Sequence, residues 1–441
     1  MRSVRGGGAG SEPGREREAE TAHEAVHAHA AVDAHEAVHA HGAGLVGAAG
    51  PAPDRPSRWR IWAIYLGGML GPFGASLVAP MVPELREAFG ASTHAVGLGI
   101  SLYHFTYAGF LLVSGSIGER YGRERVTRFF LGTFALGSLV AMAAPTLPVF
   151  LGARIVQGMS NAFVTPLLIA GLAELTPPER LGRAVGTYAS FQGAGVFLAP
   201  SVGGLAADVD WRLAFLANAI LAGALIAGAP PGRARPDAVR PPVRPLFSLH
   251  MGLLAAVALS STVGALGIGF LVSIHARDVL GLSAPAAGLL LAVAGLVTLV
   301  LGPTLGTFVD RIGAVRAGVA SALVAGVTVG VFGLIGNVAV VVPVWLVVAA
   351  ATALGLVSIQ ALASSAVPAN RGGAVSAVLA FRFAGYALAP LVLIPVHEHD
   401  PATAFALAGA LMAVTVAALV VLDRTGRAVG SPGAVGSPGA Q

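Results

Sequence analysis

Neither cysteine nor lysine occurs anywhere in this chain. Without cysteine there are no disulfides and no thiolate metal sites. Without lysine there is no Gly-x-x-x-x-Gly-Lys loop, so the polypeptide cannot hydrolyse ATP through that motif. Charge itself is scarce: Asp, Glu, Lys and Arg together make up 11% of the residues, and all 27 basic ones are arginine. What fills the chain instead is apolar. Hydrophobic residues reach 55% and mean hydropathy is +0.77, well above a soluble domain. The pI near 10.2 does not indicate nucleic acid, because the arginines sit in connections between apolar runs, where charge sets membrane orientation.

From Ile61 onward, twelve apolar segments recur, at roughly 61–82, 95–117, 127–145, 147–170, 183–207, 212–229, 251–275, 284–306, 315–336, 340–363, 374–396 and 402–422. Each is close to the ~20 residues needed to cross ~30 Å of hydrocarbon. An even number of spans leaves both ends on one side. Arginine placement says which side. The N-terminal flank carries Arg55, Arg58 and Arg60, and alternate connections carry Arg120, Arg123, Arg125, Arg128, Arg180, Arg183, Arg233, Arg235, Arg240, Arg244, Arg311, Arg316 and Arg371. Arg424 and Arg427 close the set, while the opposite connections hold only Arg86, Arg212 and Arg277. Eighteen against three predicts a multi-pass protein of the cell membrane with both termini cytoplasmic.

The chain is also internally repeated. A charged island at Gly115–Val126, Gly-Ser-Ile-Gly-Glu-Arg-Tyr-Gly-Arg-Glu-Arg-Val, is echoed by Gly306-Thr-Phe-Val-Asp-Arg-Ile-Gly. At an offset of 190, Gly182, Ala184, Val185, Phe191, Ala194, Gly195, Leu198, Ala199 and Pro200 match Gly372, Ala374, Val375, Phe381, Ala384, Gly385, Leu388, Ala389 and Pro390. A Pro/Arg-rich stretch at 230–250 reads as a cytoplasmic linker between six-span halves at 59–229 and 251–423. Parallel repeats of this kind place a substrate site between the halves near the midplane. The predicted fold is therefore an all-α integral membrane protein of two pseudo-symmetric six-helix bundles.

Residues 1–58 read as a disordered tail rich in His and Ala, with His23, His27, His29, His35, His39 and His41 in two similar units. It is not a secretory signal, since no apolar core follows a short charged start. The His spacings of i, i+4 and i, i+6 leave two readings, a weak transition-metal site or, with no ordered scaffold evident, a merely polar low-complexity tail. Residues 424–441 read as a second disordered tail.

These features resemble the major facilitator superfamily over about 60–425, and its twelve-helix drug:proton antiporter branch in particular. The island carries Gly115, Arg120, Gly122 and Arg123 where that family's loop between its second and third helices has them, with Glu119 in place of the usual Asp. Arg154-Ile-Val-Gln157-Gly158 resembles the family's motif in the fourth helix. Gly186, Gly195, Pro200, Gly203 and Gly204 follow its antiporter motif in the fifth, with Ala199 replacing a Gly.

The resemblance implies proton-coupled efflux of small organic molecules or drugs by alternating access. The alternatives are an uptake symporter, a sugar-type permease, or a non-transporting sensor or subunit. The expected partners are a small-molecule substrate, protons and lipid, with no cofactor, no ATP, no nucleic acid and no catalytic residue; the expected state is a monomer. The resemblance also implies that Glu119 latches against the eleventh helix in the outward-facing state. Asp310, with Arg311 and Gly313, forms a weaker counterpart, because Ala314 stands where Arg123 does in the first half.

Polar residues inside spans are costly and mark function by default. Arg154, Gln157 and Asn161 share one face of the fourth span; they serve coupling or substrate, or tie backbone carbonyls. Tyr103, His104 and Tyr107 share a face of the second, where His104 either titrates near neutral pH or stays neutral on one hydrogen bond. Arg382 aligns through the repeat with Gln192, so it faces a cavity or snorkels. Pro200 bends the fifth span, and Gly195, Ala199 and Gly203 allow close helix approach. No Asp or Glu lies mid-span, which disfavours strongly cationic cargo and leaves the proton carrier open among His104, Glu119 and Asp310.

Overall fold

The computed structural model describes residues 58–232 and 242–430. The His-rich tail, Arg233, Arg235 and Arg240 of the linker, and residues 431–441 lie outside the described residues. Among those described there are helices and no strands. The first half comprises α1 (Arg58–Ser76), α2 (Val82–Phe89), α3 (Thr93–Tyr121), α4 (Arg123–Met142), α5 (Leu147–Leu175), α6 (Pro178–Val209) and α7 (Arg212–Leu225). The second comprises α8 (Leu249–Ser261), α9 (Gly269–Asp278), α10 (Ala284–Ile312), α11 (Ala314–Phe332), α12 (Val338–Ala366), α13 (Arg371–His399) and α14 (Pro401–Gly430). Each helix of the first half has its repeat mate seven places later.

Ten described stretches are long and apolar enough to cross a membrane, and a shorter apolar helix runs over Arg212–Gly228. With α6 they make twelve crossings. Two crossings are not single helices, a feature hydropathy does not reveal. The first is interrupted by a 3-10 turn at Ala79–Met81 and the seventh by a π-turn at Thr262–Leu266. The breaks fall at matching places, between α1 and α2 and between α8 and α9. By contrast, α6 continues as helix through Pro200.

Several helix starts are set by capping side chains. Ser92, Ser283 and Asn337 accept from the Ala95, Ala286 and Ala339 amides, satisfying donors that the helix itself leaves open. Gly122 (φ 91°) and Gly313 (φ 88°) are the single residues between α3 and α4 and between α10 and α11. Only glycine adopts such a conformation cheaply. These glycines are the centres of the two charged islands.

The halves meet along two helix pairs, α3 with α13 and α6 with α10. The close approaches are concentrated at the arginine-poor end. A methyl group on Gly204 would lie 2.4 Å from the Ala284 carbonyl oxygen, and one on Gly288 2.4 Å from that of Pro200. Further along the pair, Gly295 stands 2.7 Å from the Phe197 nitrogen by the same measure, and on the other pair Gly97 stands 2.4 Å from Ile394. At the arginine-rich end the picture reverses: added methyls on Gly115, Gly186 and Gly306 meet nothing within 4 Å.

Candidate functional site

The polar face predicted on the fourth span is real and lies on α5. Gly158 lets α3 approach so closely that a methyl there would be 2.1 Å from the Tyr103 carbonyl oxygen. That approach delivers Arg154, fully buried, into backbone of two other helices. Its Nε donates to the Gly99 carbonyl (3.1 Å), and its Nη1 donates to the Gly74 carbonyl (3.0 Å) and to Gln157 Oε1 (2.7 Å). The guanidinium also sits 4.3 Å from the Tyr103 ring centroid. No carboxylate pairs with it among the described residues. Carbonyl dipoles and an aromatic face thus stabilise a buried cation. Nη2 remains buried without a partner.

The network extends through Gln157, whose Nε2 donates to Ser138 Oγ at 2.8 Å. Asn161 donates to the Tyr103 hydroxyl at 3.0 Å, and that hydroxyl donates to the Gly71 carbonyl at 3.3 Å. Of the two readings of Arg154, the geometry realises carbonyl-tying of α1, α3 and α5. The free Nη2 is the one valence left over.

His104 and Tyr107 of α3 meet Phe383 and Tyr386 of α13 across the seam between halves. Among the described residues no carboxylate pairs with His104; its Nδ1 bonds the Ile100 carbonyl (2.8 Å) and its ring stacks on Tyr386 of α13, centroids 5.1 Å apart. Tyr107 lies 4.1 Å from the Phe383 ring centroid. On α13, Val378 packs in the second-half core and Gly385 abuts Thr262, whereas Leu379 and Phe383 pack on the first-half core. Arg382 falls on the strip between these two faces. It is half-buried, its guanidinium 5.4 Å from the Phe383 centroid, and its Nε is buried without a partner.

Gln192 occupies the matching strip on α6. Its flanks are Tyr188 and Gly195, which face α1, and Gly193 and Pro200, which face α10. The antiporter-like residues also divide by face. Gly195 seats α6 on the Met69 carbonyl of α1 and Gly203 on that of Leu77 just past its end, with Ala199 fully buried, while Pro200 and Gly204 meet α10.

At the arginine-rich end the island acts within its own half. Arg123 donates to the Ala170 carbonyl (3.3 Å) and pairs with Glu174, both on α5. Glu124 pairs with Arg128 at 2.7 Å and lies 3.9 Å from Arg60. Arg120 lies over its neighbour Tyr121. Glu119, Asp310 and Arg311 form no ion pair or side-chain hydrogen bond among the described residues, so the expected contact between Glu119 and α13 is absent from this conformation.

The inter-half ion pairs are at the other end. Arg277 of α9 donates to Glu84 of α2 at 2.5 Å and to the Pro80 carbonyl at 3.2 Å, and Arg86 lies 3.9 Å from Asp278. Sequence reasoning passed over these residues. Their signal was that Arg86 and Arg277 are two of only three arginines on that side, each near an acid.

Comparison with known proteins accords with this architecture. The sequence profile described as Major Facilitator Superfamily matches residues 64–390 and 253–438. The chain belongs to the Major Facilitator Superfamily. It is therefore grouped with membrane transporters, not enzymes. It is 30% identical over 163 residues to the drug efflux pump JefA of Mycobacterium tuberculosis, covering 36% of this chain and 32% of that protein. It is also 30% identical over 174 residues to the puromycin resistance protein pur8 of Streptomyces alboniger, covering 39% and 35%. These matches span about a third of the relatives' length. Among solved structures, a POT family transporter superposes with a TM-score of 0.70 at 12% identity, over 84% of this chain and 96% of that one. A D-xylose–proton symporter gives 0.65 at 18%, over 82% and 96%. At such identities the likeness is one of fold.

Proposed function

We propose that this protein is a secondary active transporter of the cell membrane that exports small organic molecules in exchange for protons. The observation that carries this reading is the polarity of the seam. The halves are packed and ion-paired at the arginine-poor end, and unpaired at Glu119 and Asp310 at the arginine-rich end. With the arginine-rich end cytoplasmic, this is an inward-facing state, ready to load from the cytoplasm. Closing the other end by Glu119 against α13 gives the outward-facing state, and rocking between the two is alternating access. The domains follow as a 59–229 bundle, a linker at 230–250 and a 251–423 bundle, working as a monomer in lipid.

His104 carries the coupling proton in this scheme. Its imidazole stacks across the seam at mid-depth on Phe383 and Tyr386, whereas Glu119 and Asp310 sit at helix ends. Export is supported by the partial likeness to a drug efflux pump and a resistance protein.

The test is transport by the purified full chain in ATP-free liposomes with an acidic interior. In antiport, adding substrate outside raises internal pH while the substrate accumulates. Accumulation only when the outside is the more acidic compartment would identify a symporter and overturn the proposal. Absence of any transport would overturn both.

A further inference from the structure

We infer that the cargo is an aromatic organic anion, its carboxylate or sulfonate paired with Arg382 and its ring laid against Phe383 and Tyr386. The inference deepens the transport reading above and rests on it. Three observations carry it.

First, among the described residues the Asp, Glu, His and Arg side chains found at mid-depth are all basic. Arg154 and Arg382 are there, with His104, while every described Asp and Glu lies toward a helix end or in a connection. In a low-dielectric interior, fixed charges act over longer distances than in water. A gap lined by one sign of charge therefore concentrates the opposite sign. A cationic cargo would meet no counter-ion.

Second, the two arginines are not equivalent. Arg154 has spent three donor contacts on its own half. Arg382 donates no hydrogen bond to any described residue, yet its Nε is withdrawn from solvent. A buried, unpaired donor of a charged group is expensive, and a guanidinium presents a planar fork that a carboxylate or sulfonate matches with two parallel bonds. Arg382 lies on the strip between the faces packed on either half, which places its guanidinium at the seam and not on the lipid side of α13.

Third, the surroundings of that fork are rings. The Phe383 ring centroid lies 5.4 Å from the guanidinium carbon, and Phe383 in turn meets Tyr107 and Tyr386, with ring centroids 4.1 and 6.0 Å apart. His104 stacks on Tyr386 and Phe383. Aromatic rings beside a cation accept a further planar ring by offset or edge contacts. Across the repeat, Gln192 supplies an amide at the matching strip, a neutral group that receives either a donor or an acceptor of the cargo.

The test uses three compounds with one ring system: 2-naphthoate, 2-naphthamide and 2-naphthylmethylammonium. Radiolabelled binding to the full chain in lipid nanodiscs is expected to favour naphthoate over the ammonium by at least about tenfold. Arg382→Gln is expected to weaken naphthoate roughly tenfold or more while changing naphthamide little, with an unchanged melting temperature as the fold control. Preference for the ammonium, no naphthoate binding at millimolar concentration, or equal losses for naphthoate and naphthamide in the variant would each overturn the inference. The transport reading fails separately, if the liposomes move no compound of any charge.

Discussion

Arg277 Nη2 and Glu84 Oε1 stand 2.5 Å apart, joining α9 of one half to α2 of the other across 193 residues of sequence. The pair is largely shielded, with side chains 16% and 22% exposed, so solvent screening weakens it little. Arg277 also holds the Pro80 carbonyl at the 3-10 break. The contact therefore ties the break in the first crossing to the outer end of the seventh. Replacing Glu84 with Ala leaves Arg277 without its carboxylate and opens the arginine-poor end. Because the chain has no cysteine, spin labels at Glu87→Cys and Val279→Cys report on this gap without background. The expected result is a longer-distance population that grows on the order of tenfold in Glu84→Ala. An unchanged distance distribution would show that packing alone holds this end shut.

Gly288→Val is expected to abolish transport while the protein still inserts and binds cargo. The added side chain would press into the Pro200 carbonyl oxygen, already 2.4 Å from a bare methyl, so the closed arginine-poor end cannot form. Gly115→Val meets open space in this conformation, and its melting temperature is expected to match the parent. If α3 closes on α13 in the other state, the same change slows turnover. Thermal unfolding and transport measured on both variants separate the two ends of the cycle.

His104→Asn keeps a hydrogen-bonding side chain but carries no proton. Exchange of labelled for unlabelled cargo is expected to persist, because it requires no net proton movement. Accumulation driven by a pH gradient is expected to vanish. If the gradient still drives accumulation in the variant, the proton travels elsewhere, and Glu119 and Asp310 become the groups to replace.

Arg154→Ala removes the donor shared by the Gly99 and Gly74 carbonyls and by Gln157. Gln157 Oε1, left buried without a donor, costs about 1–3 kcal/mol, so a drop in melting temperature accompanies the expected loss of transport, with membrane insertion intact. Arg154→Lys keeps the charge but loses the planar fork, and is expected to recover only part of the stability. Unchanged turnover in Arg154→Ala would remove Arg154 from any central role.

Much of the architecture was legible because lipid is an unforgiving solvent. Charged islands such as Glu119–Arg128 can only mark the ends of crossings, and the match of Phe191 to Phe381 and Pro200 to Pro390 reveals the duplication. The polar face of Arg154, Gln157 and Asn161 followed from helical spacing alone. Its partners did not, since the Gly99 and Gly74 carbonyls lie 55 and 80 residues away and a backbone oxygen has no sequence signature. The breaks at Ala79–Met81 and Thr262–Leu266 were equally silent, because hydropathy runs on across them. Glu84 and Arg277 hid among the few charges of the sparse side, where a count of arginines treats them as exceptions and not as a pair.

The single glycines at Gly122 and Gly313 carry one more consequence. The Gly122 carbonyl already accepts the first bond of α4, from Val126, and the Gly313 carbonyl does the same for α11, from Ala317. No residue in either connection is free of a helix. Such a joint resists bending, and behaves as a fixed elbow and not as a hinge. When a half tilts, α3 must carry α4 with it, and α10 must carry α11. A displacement at the seam is thereby passed without slack to helices whose main packing partners all lie within their own half.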